Sequence, residues 1–289
     1  METTATESAP TCEIACLPED LLSVSIARAT PRDACRAAAV SPAFRAAADS
    51  DAVWSCFVPH DLPPLANGQL YPAPPSKKAL FMRLSDSPVL LADGLTSMWL
   101  DRETGAKCYM LSARALCIIW GDTPQYWRWI PITDSSFSEA AQLELVWWLE
   151  IRGNIDSKML SKNSAYAAYI VFKVVDHGAY GLGSPFPETC VSLGGSKSTR
   201  QVCLHDKGCD ESLWGLGQTT GRGPIEIPPD VLLPRERADG WFELEMGEFQ
   251  NDEGEDGEVS IRLMETSATV KSGLIVQGIE IRPKKQDRC

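Results

Sequence analysis

The spacing of apolar residues changes period along this chain, from the three-to-four of helices to the two of strands, and that change excludes any uniform architecture. Between Glu13 and Val58 the pattern is helical and punctuated by caps. Leu17-Pro18 opens a first helix with Leu21, Leu22 and Ile26 at roughly helical spacing. Thr30-Pro31 reads as an N-cap followed by proline at the first helical position, with Asp33 in the first turn, and Ser41-Pro42 repeats the signal. Ser50 or Asp51 is placed to cap a last short helix carrying Val53, Trp54 and Phe57. Helices this short bury little surface, so the unit is expected to need a partner to complete its core. Pro59 to Pro75 holds six prolines and reads as a stiff connector, and Lys77 to Leu91 as a bridging helix.

From about Thr96 the alternation is that of strands: Ala115 to Trp120, Leu143 to Ile151, Ala165 to Val175, Gly240 to Met246, Glu258 to Met264 and Leu274 to Ile281. Turn signals fall at Asp122-Thr-Pro, Gly153-Asn154, Asp256-Gly257 and Ser272-Gly273. Strands joined this way predict an antiparallel β-sandwich. Asp176 to Arg235, rich in Gly, Pro and Ser, is expected to form long loops.

Charge narrows the function. The 27 basic and 39 acidic residues of the 289 give a formal net charge of −12, which opposes binding to phosphate backbones and anionic lipid. Neither nucleic acid nor membrane is therefore an expected partner. METTATESAP lacks the apolar run of a secretory signal, and LELVWWLEI is too short and too acidic to span a bilayer. Cytosol or nucleus follows as the expected compartment, with the ten cysteines reduced.

The stretch WGDTPQYWRW, Trp120 to Trp129, holds three of the nine tryptophans and a tyrosine around a turn. A sugar ring offers one apolar face that packs on an aromatic plane, while its hydroxyls need fixed polar partners. Rings beside a turn, with carboxylates nearby, suit that chemistry. Strand alternation puts Trp127 and Trp129 on one face and Tyr126 and Arg128 on the other, so the rings cannot all line one site. Core packing stands as the competing reading, and it is the expected one for Trp129 and Trp147.

Other motifs carry less. Cys203, His205 and Cys209, with Cys190 upstream, have a spacing that matches no standard zinc finger. NDEGEDGE lies in a run of eight carboxylates between Glu243 and Glu258, but its glycines do not fit an EF-hand; a solvated rim is expected. GLGQTTG misses the dinucleotide fingerprint, three histidines without G-x-S-x-G give a serine hydrolase little support, and no carboxylate pair stands out as a glycosidase acid and base. No enzyme activity and no cofactor are expected.

Two resemblances sharpen this. LPEDLLSVSIARATPRDACRAAAVSPAFRAAADSDAVW, Leu17 to Trp54, resembles an F-box, with Leu17, Pro18, Glu19, Asp20, Asp33, Val40, Ser41, Phe44 and Trp54 in the family's places. Val24-Ser25-Ile26 departs from it where two adjacent aliphatics are usual. The segment from about Trp99 to Pro283 resembles the phloem protein 2 family, whose lectin members are called Nictaba-like. The resemblance rests on Trp120 to Trp129, VWWLEIRGNID, YAAYIVFKVVD, GWFELEMGEFQNDEGEDGEVSIRLMET and KSGLIVQGIEIRP, in family order.

Together these imply a tail over 1–12, an all-α F-box over 13–58, a linker and bridging helix over 59–95, a jelly-roll-like lectin β-sandwich over 96–283, and a tail over 284–289. They imply a non-catalytic substrate receptor of a ubiquitin ligase, docked on a Skp-type adaptor and through it a cullin. Its target would be an N-acetylglucosamine-containing glycan or a glycoprotein; a stress lectin or a protein-binding module without a ligase role is the alternative. The F-box resemblance places adaptor contact or core on Leu17, Pro18, Leu21, Ile26, Val40 and Trp54. The lectin resemblance places sugar contact on Trp120, Trp127, Glu258 and Glu265. Seven extended residues span roughly 23 Å, and an odd separation points Glu258 and Glu265 to opposite faces. Glu258, at a loop end, is therefore the favoured carboxylate, and Glu265 is equally suited to a salt bridge, for instance with Arg262.

Overall fold

The computed structural model describes residues 17–133, 135–205, 227–252 and 256–284. The N-terminal tail, Cys209, GLGQTTG, residues 253–255 of the acidic run and the last five residues lie outside these. The chain divides into two compact units, one drawn from Met1–Leu62, Leu70–Ser87 and Leu100–Gly105, the other from Pro63–Gln69, Pro88–Trp99 and Ala106–Cys289.

The first unit is helical: α1 (Glu19–Ala27), α2 (Pro31–Ala37), α3 (Pro42–Asp49), α4 (Asp51–Phe57) and α5 (Lys77–Asp86). Local chemistry sets their starts. The Thr30 and Ser41 hydroxyls accept from the Asp33 and Phe44 backbone N–H groups, and proline follows each cap. Ser50 begins α4 differently, since its hydroxyl donates back to the Ala47 carbonyl. Trp54 is fully buried, donates its indole N–H to Ala48 O at 2.6 Å and meets Phe57 edge-on at 5.5 Å. Phe81 of α5 lies 5.1 Å from the same ring, and Leu84 is buried with it. The helix expected to act as a bridge thus supplies core residues to this unit, which answers on its own part of the burial that the short helices lacked.

The second unit is almost wholly antiparallel. Among the described residues one sheet runs β1 (Val89–Leu90), β2 (Thr96–Leu100), β3 (Lys107–Ser112), β14 (Leu274–Pro283), β8 (Ser164–Val174), β12 (Phe242–Asn251) and β11 (Arg235–Glu236). To it β6 (Glu139–Leu143) joins through β14, and β5 (Trp127–Pro131) through β6. A five-stranded sheet runs β10 (Ser196–Gln201), β9 (Glu188–Leu193), β13 (Glu258–Glu265), β7 (Leu149–Asp156) and β4 (Cys117–Ile118). Between the sheets, a Cβ on Gly153 of β7 would meet Leu111 and Ile279 of the larger sheet, and one on Gly247 of β12 would meet Val191 of β9. These close approaches mark a sandwich-like packing. Alternating burial along β7 and β13 puts Leu149, Ile151, Ile155, Val259, Ile261 and Leu263 into that interface.

Three expectations are corrected. Gly153-Asn154 is no turn: Gly153 sits mid-strand, where a side chain would come within 3.0 Å of Leu116, so the glycine supplies space. Leu143 to Ile151 is not one strand, because Glu144 to Trp148 separates β6 from β7. Asp176 to Arg235 is not only loop; it holds the β9–β10 hairpin, whose second strand SKSTRQ is too polar to register as alternation.

Candidate functional site

Trp120 sits where β4 ends in a tight turn. Gly121 N–H donates to Ile118 O at 2.9 Å, and the Thr123 N–H donates to Trp120 O at 2.9 Å. The turn forces Trp120 to φ 57°, the left-handed region, which costs a residue with a Cβ about 1–2 kcal/mol. That strain falls on an exposed ring: Trp120 is 46% accessible and lies 5.3 Å from the half-buried Tyr126. Strain held at an exposed aromatic is a recurrent mark of a binding position.

The other rings of the stretch turn inward, as alternation requires of part of it. Trp127 is 2% exposed, and its indole nitrogen has no partner among the described residues. A buried ring offers no face for stacking, so Trp127 is corrected from sugar contact to support beneath the turn. Trp129 is half-buried, donates to Gly121 O at 3.1 Å and carries the Arg114 guanidinium 3.6 Å from its ring centre. Trp147, expected in the core, is exposed instead, together with Leu145 and Trp148.

Backbone pairing gathers these groups at one end of the β unit. Trp127 faces Leu143, Glu144 N–H donates to Tyr126 O, Val146 bridges Lys271, and Ile119 N–H donates to Glu150 O. The segment bearing Trp120 and Tyr126 and the one bearing Trp147 and Trp148 therefore lie side by side. Only the pairing ladder brings them together, and the Trp147-Trp148 doublet at a strand start was the one signal the sequence offered.

The two carboxylates occupy opposite ends of β13. Glu265 pairs with Leu149, at the Trp120 end, whereas Glu258 pairs with Asp156, about 23 Å further along the strand. Glu258 is exposed but is thus removed from Trp120, and its pairing with that ring is corrected. Glu265 is at the right end yet buried. It ion-pairs with Lys271, not with Arg262, and accepts from Ser267 N–H at 2.8 Å. Lys271 is fully buried and also donates to the Trp147 and Ser267 carbonyls. The pair ties the Trp147 segment to the loop after β13 rather than meeting a ligand.

Behind Trp148 is a second set of polar groups that sequence reasoning missed. The Trp148 indole donates to Glu150 Oε2 at 2.9 Å, and Arg152 donates to Glu150 Oε1 at 2.8 Å. Arg262 reaches the same carboxylate at 3.8 Å. Burial opposes ionisation of Glu150, but the Trp148 hydrogen bond and the Arg152 and Arg262 charges outweigh it and hold the carboxyl below the usual carboxylate range.

The acidic run is a solvated rim at Asp252, Asp256 and Glu258, which are exposed, but not in its first half, where the carboxylates are paired with basic groups. Glu243 binds Arg282 and Arg237, Glu245 binds Arg200, and Glu248 binds Arg200 and Lys284. Cys203 is buried, and no cluster of three or more metal-ligating side chains occurs among the described residues. In the helical unit Leu17, Pro18, Leu21 and Val40 are exposed, with Val24 beside them in sequence, whereas Ile26 and Trp54 are buried. Core is the only one of their two offered roles open to the last pair.

Comparison with known proteins matches residues 106–283 to the family described as phloem protein 2. F-box protein PP2-B10 of Arabidopsis thaliana is 41% identical over 93% of this chain and 93% of its own length. F-box protein PP2-B1 of the same plant is 37% identical over 94% of this chain and 90% of its own. Among solved structures, the CBM22-1 xylan-binding domain of Paenibacillus barcinonensis Xyn10C overlaps with a TM-score of 0.30 at 13% identity, covering 61% of this chain and 89% of that one.

Proposed function

The chain belongs to the phloem protein 2 family, whose matching relatives are named F-box proteins, and we propose that it is a ubiquitin-ligase substrate receptor with a lectin-like recognition unit. The helical unit docks a Skp-type adaptor, and through it a cullin, by the apolar side chains that it leaves in water, Leu17, Leu21 and Val40 with Pro18. The β unit captures an N-acetylglucosamine-containing glycan or glycoprotein. Its role is to bring a target near the ubiquitin-transfer machinery, in cytosol or nucleus, and it performs no bond chemistry.

The observation that carries the recognition half is the strained, exposed Trp120 against Tyr126, with exposed Trp147 brought to the same end by strand pairing. Flat rings held rigidly at a turn offer the apolar face of a pyranose a surface with little ordering cost. In an affinity test, Trp120→Ala is expected to abolish retention on a chitooligosaccharide column while circular dichroism stays native. In a pull-down, Leu21→Ala/Val40→Ala is expected to lose the Skp-type adaptor. A wild-type chain never retained on the column would make the β unit a protein-binding module; one that binds no adaptor would remove the ligase role.

A further inference from the structure

The outward face of the five-stranded sheet carries Glu150, Asp156, Glu188 and Glu258, and among them it sets its two arginines side by side. Register places Cys117, Arg152, Arg262, Cys190 and Thr199 in one row straight across its five strands. Arg152 and Arg262 are therefore direct cross-strand neighbours, with Cβ atoms roughly 5 Å apart, an arrangement in which like charges destabilise the pairing. A single carboxylate answers both. Glu150, 3% exposed, receives Arg152 Nε and Nη2 on its Oε1 at 2.8 and 2.6 Å. Its distance to Arg262, 3.8 Å, lies beyond hydrogen bonding. Glu188, on the same face opposite Met264, makes no ion pair with either guanidinium among the described residues.

The row thus keeps one uncompensated positive charge in a chain of net charge −12. The Arg262 side chain is 38% exposed and that of Arg152 48%, so both forks are open to solvent. Beside them stands the Trp148 ring, 46% exposed and fixed by its bond to the same Glu150. A guanidinium fork with free N–H groups fits a carboxylate in two parallel hydrogen bonds, and an adjoining indole fits the C–H face of a sugar.

We propose that this sheet face binds an acidic oligosaccharide, a chain of uronic acids, with Arg262 and Arg152 taking a carboxylate and Trp148 taking the neighbouring sugar ring. Peptides bind β-domains by adding a strand at an unpaired edge or, if acidic, by laying carboxylates on an arginine cluster. The second route makes no use of a flat ring beside the arginines such as Trp148. Here both arginines sit on the inner strands β7 and β13, whose backbone is already paired on each side, which excludes strand addition. The exposed Trp148 ring beside them favours a glycan over an acidic peptide. The site deepens the lectin-like reading and rests on the β unit being a recognition unit. It adjoins the Trp120 turn, since Ile119 N–H donates to Glu150 O, but it uses different side chains.

The test is calorimetric titration of the full chain with a galacturonic acid oligomer, with its methyl ester and with an oligoglutamate of matched charge. The acid form is expected to bind, more weakly as salt rises; the ester and the Arg262→Ala variant are each expected to bind at least tenfold more weakly. Arg262→Lys keeps the charge without the fork and is expected to recover only part of the affinity. No binding of the acid, equal binding of acid and ester, or full affinity in Arg262→Ala would overturn the proposal. Oligoglutamate binding as tightly, with the same dependence on Arg262, would overturn the sugar assignment. Retention on chitooligosaccharide, measured on the same preparations, reports separately on the Trp120 reading.

Discussion

Replacing Lys271 by methionine should unfold the β unit far more readily than any loss of a surface charge. The ammonium is fully buried, ion-paired with the buried Glu265, and donates to the Trp147 and Ser267 carbonyls. Methionine fills most of the volume but leaves the Glu265 carboxylate in the interior with, among the described residues, only the Ser267 N–H donating to it. Breaking one side of such a pair costs about 3–5 kcal/mol, against 0–1 kcal/mol for an exposed pair such as Arg32–Glu103. Lys271→Met and Glu265→Gln should each lower the free energy of urea unfolding by an amount in that range, followed by tryptophan fluorescence. The double variant should fall well short of the sum, since each single change already strands the partner, and the shortfall should exceed 1 kcal/mol. Lys271→Met within 1 kcal/mol of wild type, or a double variant equal to the sum of the singles, would refute the view that this pair anchors the Trp147 segment.

Two further outcomes follow from burial and charge. Glu150 is held below the ordinary carboxylate value of 4.5, so its contribution is complete above that value and is lost as pH falls through the folded one. Glu150→Gln should therefore cost about 1–2 kcal/mol at pH 7, discounted for the half-exposed guanidiniums, and flatten the decline in urea midpoint that wild type shows below pH 4.5. Trp127→Ala should destabilise the β unit by about 3–5 kcal/mol because its ring is core, whereas Trp120→Ala removes an exposed ring, keeps the Cβ and with it the strain, and should leave stability nearly unchanged; paired thermal melts distinguish them.

Where sequence reasoning held, it rested on local chemistry. Thr30-Pro31 and Ser41-Pro42 begin helices because a hydroxyl and a fixed φ act within four residues. The alternation in β13 declares a strand because one of its faces is against core, and the nearly continuous burial of β14 suits its central place in the larger sheet. The site was legible only in part. Trp120 stood out as an aromatic at a turn, but its companions were misplaced: Trp127 and Glu265 are buried, Glu258 lies at the far end of β13, and Trp147 is in water. Composition cannot distinguish a tryptophan in the core from one outside it when both stand beside strands.

The sequence by itself determined the family, the order of helical and β segments, the absence of a basic surface overall, and the turn that carries Trp120. Only the tertiary structure decided which residues meet. Register across β4, β7, β13, β9 and β10 sets two arginines 110 residues apart in the chain opposite each other over one carboxylate, and the ladders at Leu143, Val146 and Glu150 bring Trp147 to the end that bears Trp120. Strand pairing is a long-range choice fixed by the sum of core contacts, so a site assembled across a sheet leaves no contiguous trace in the sequence.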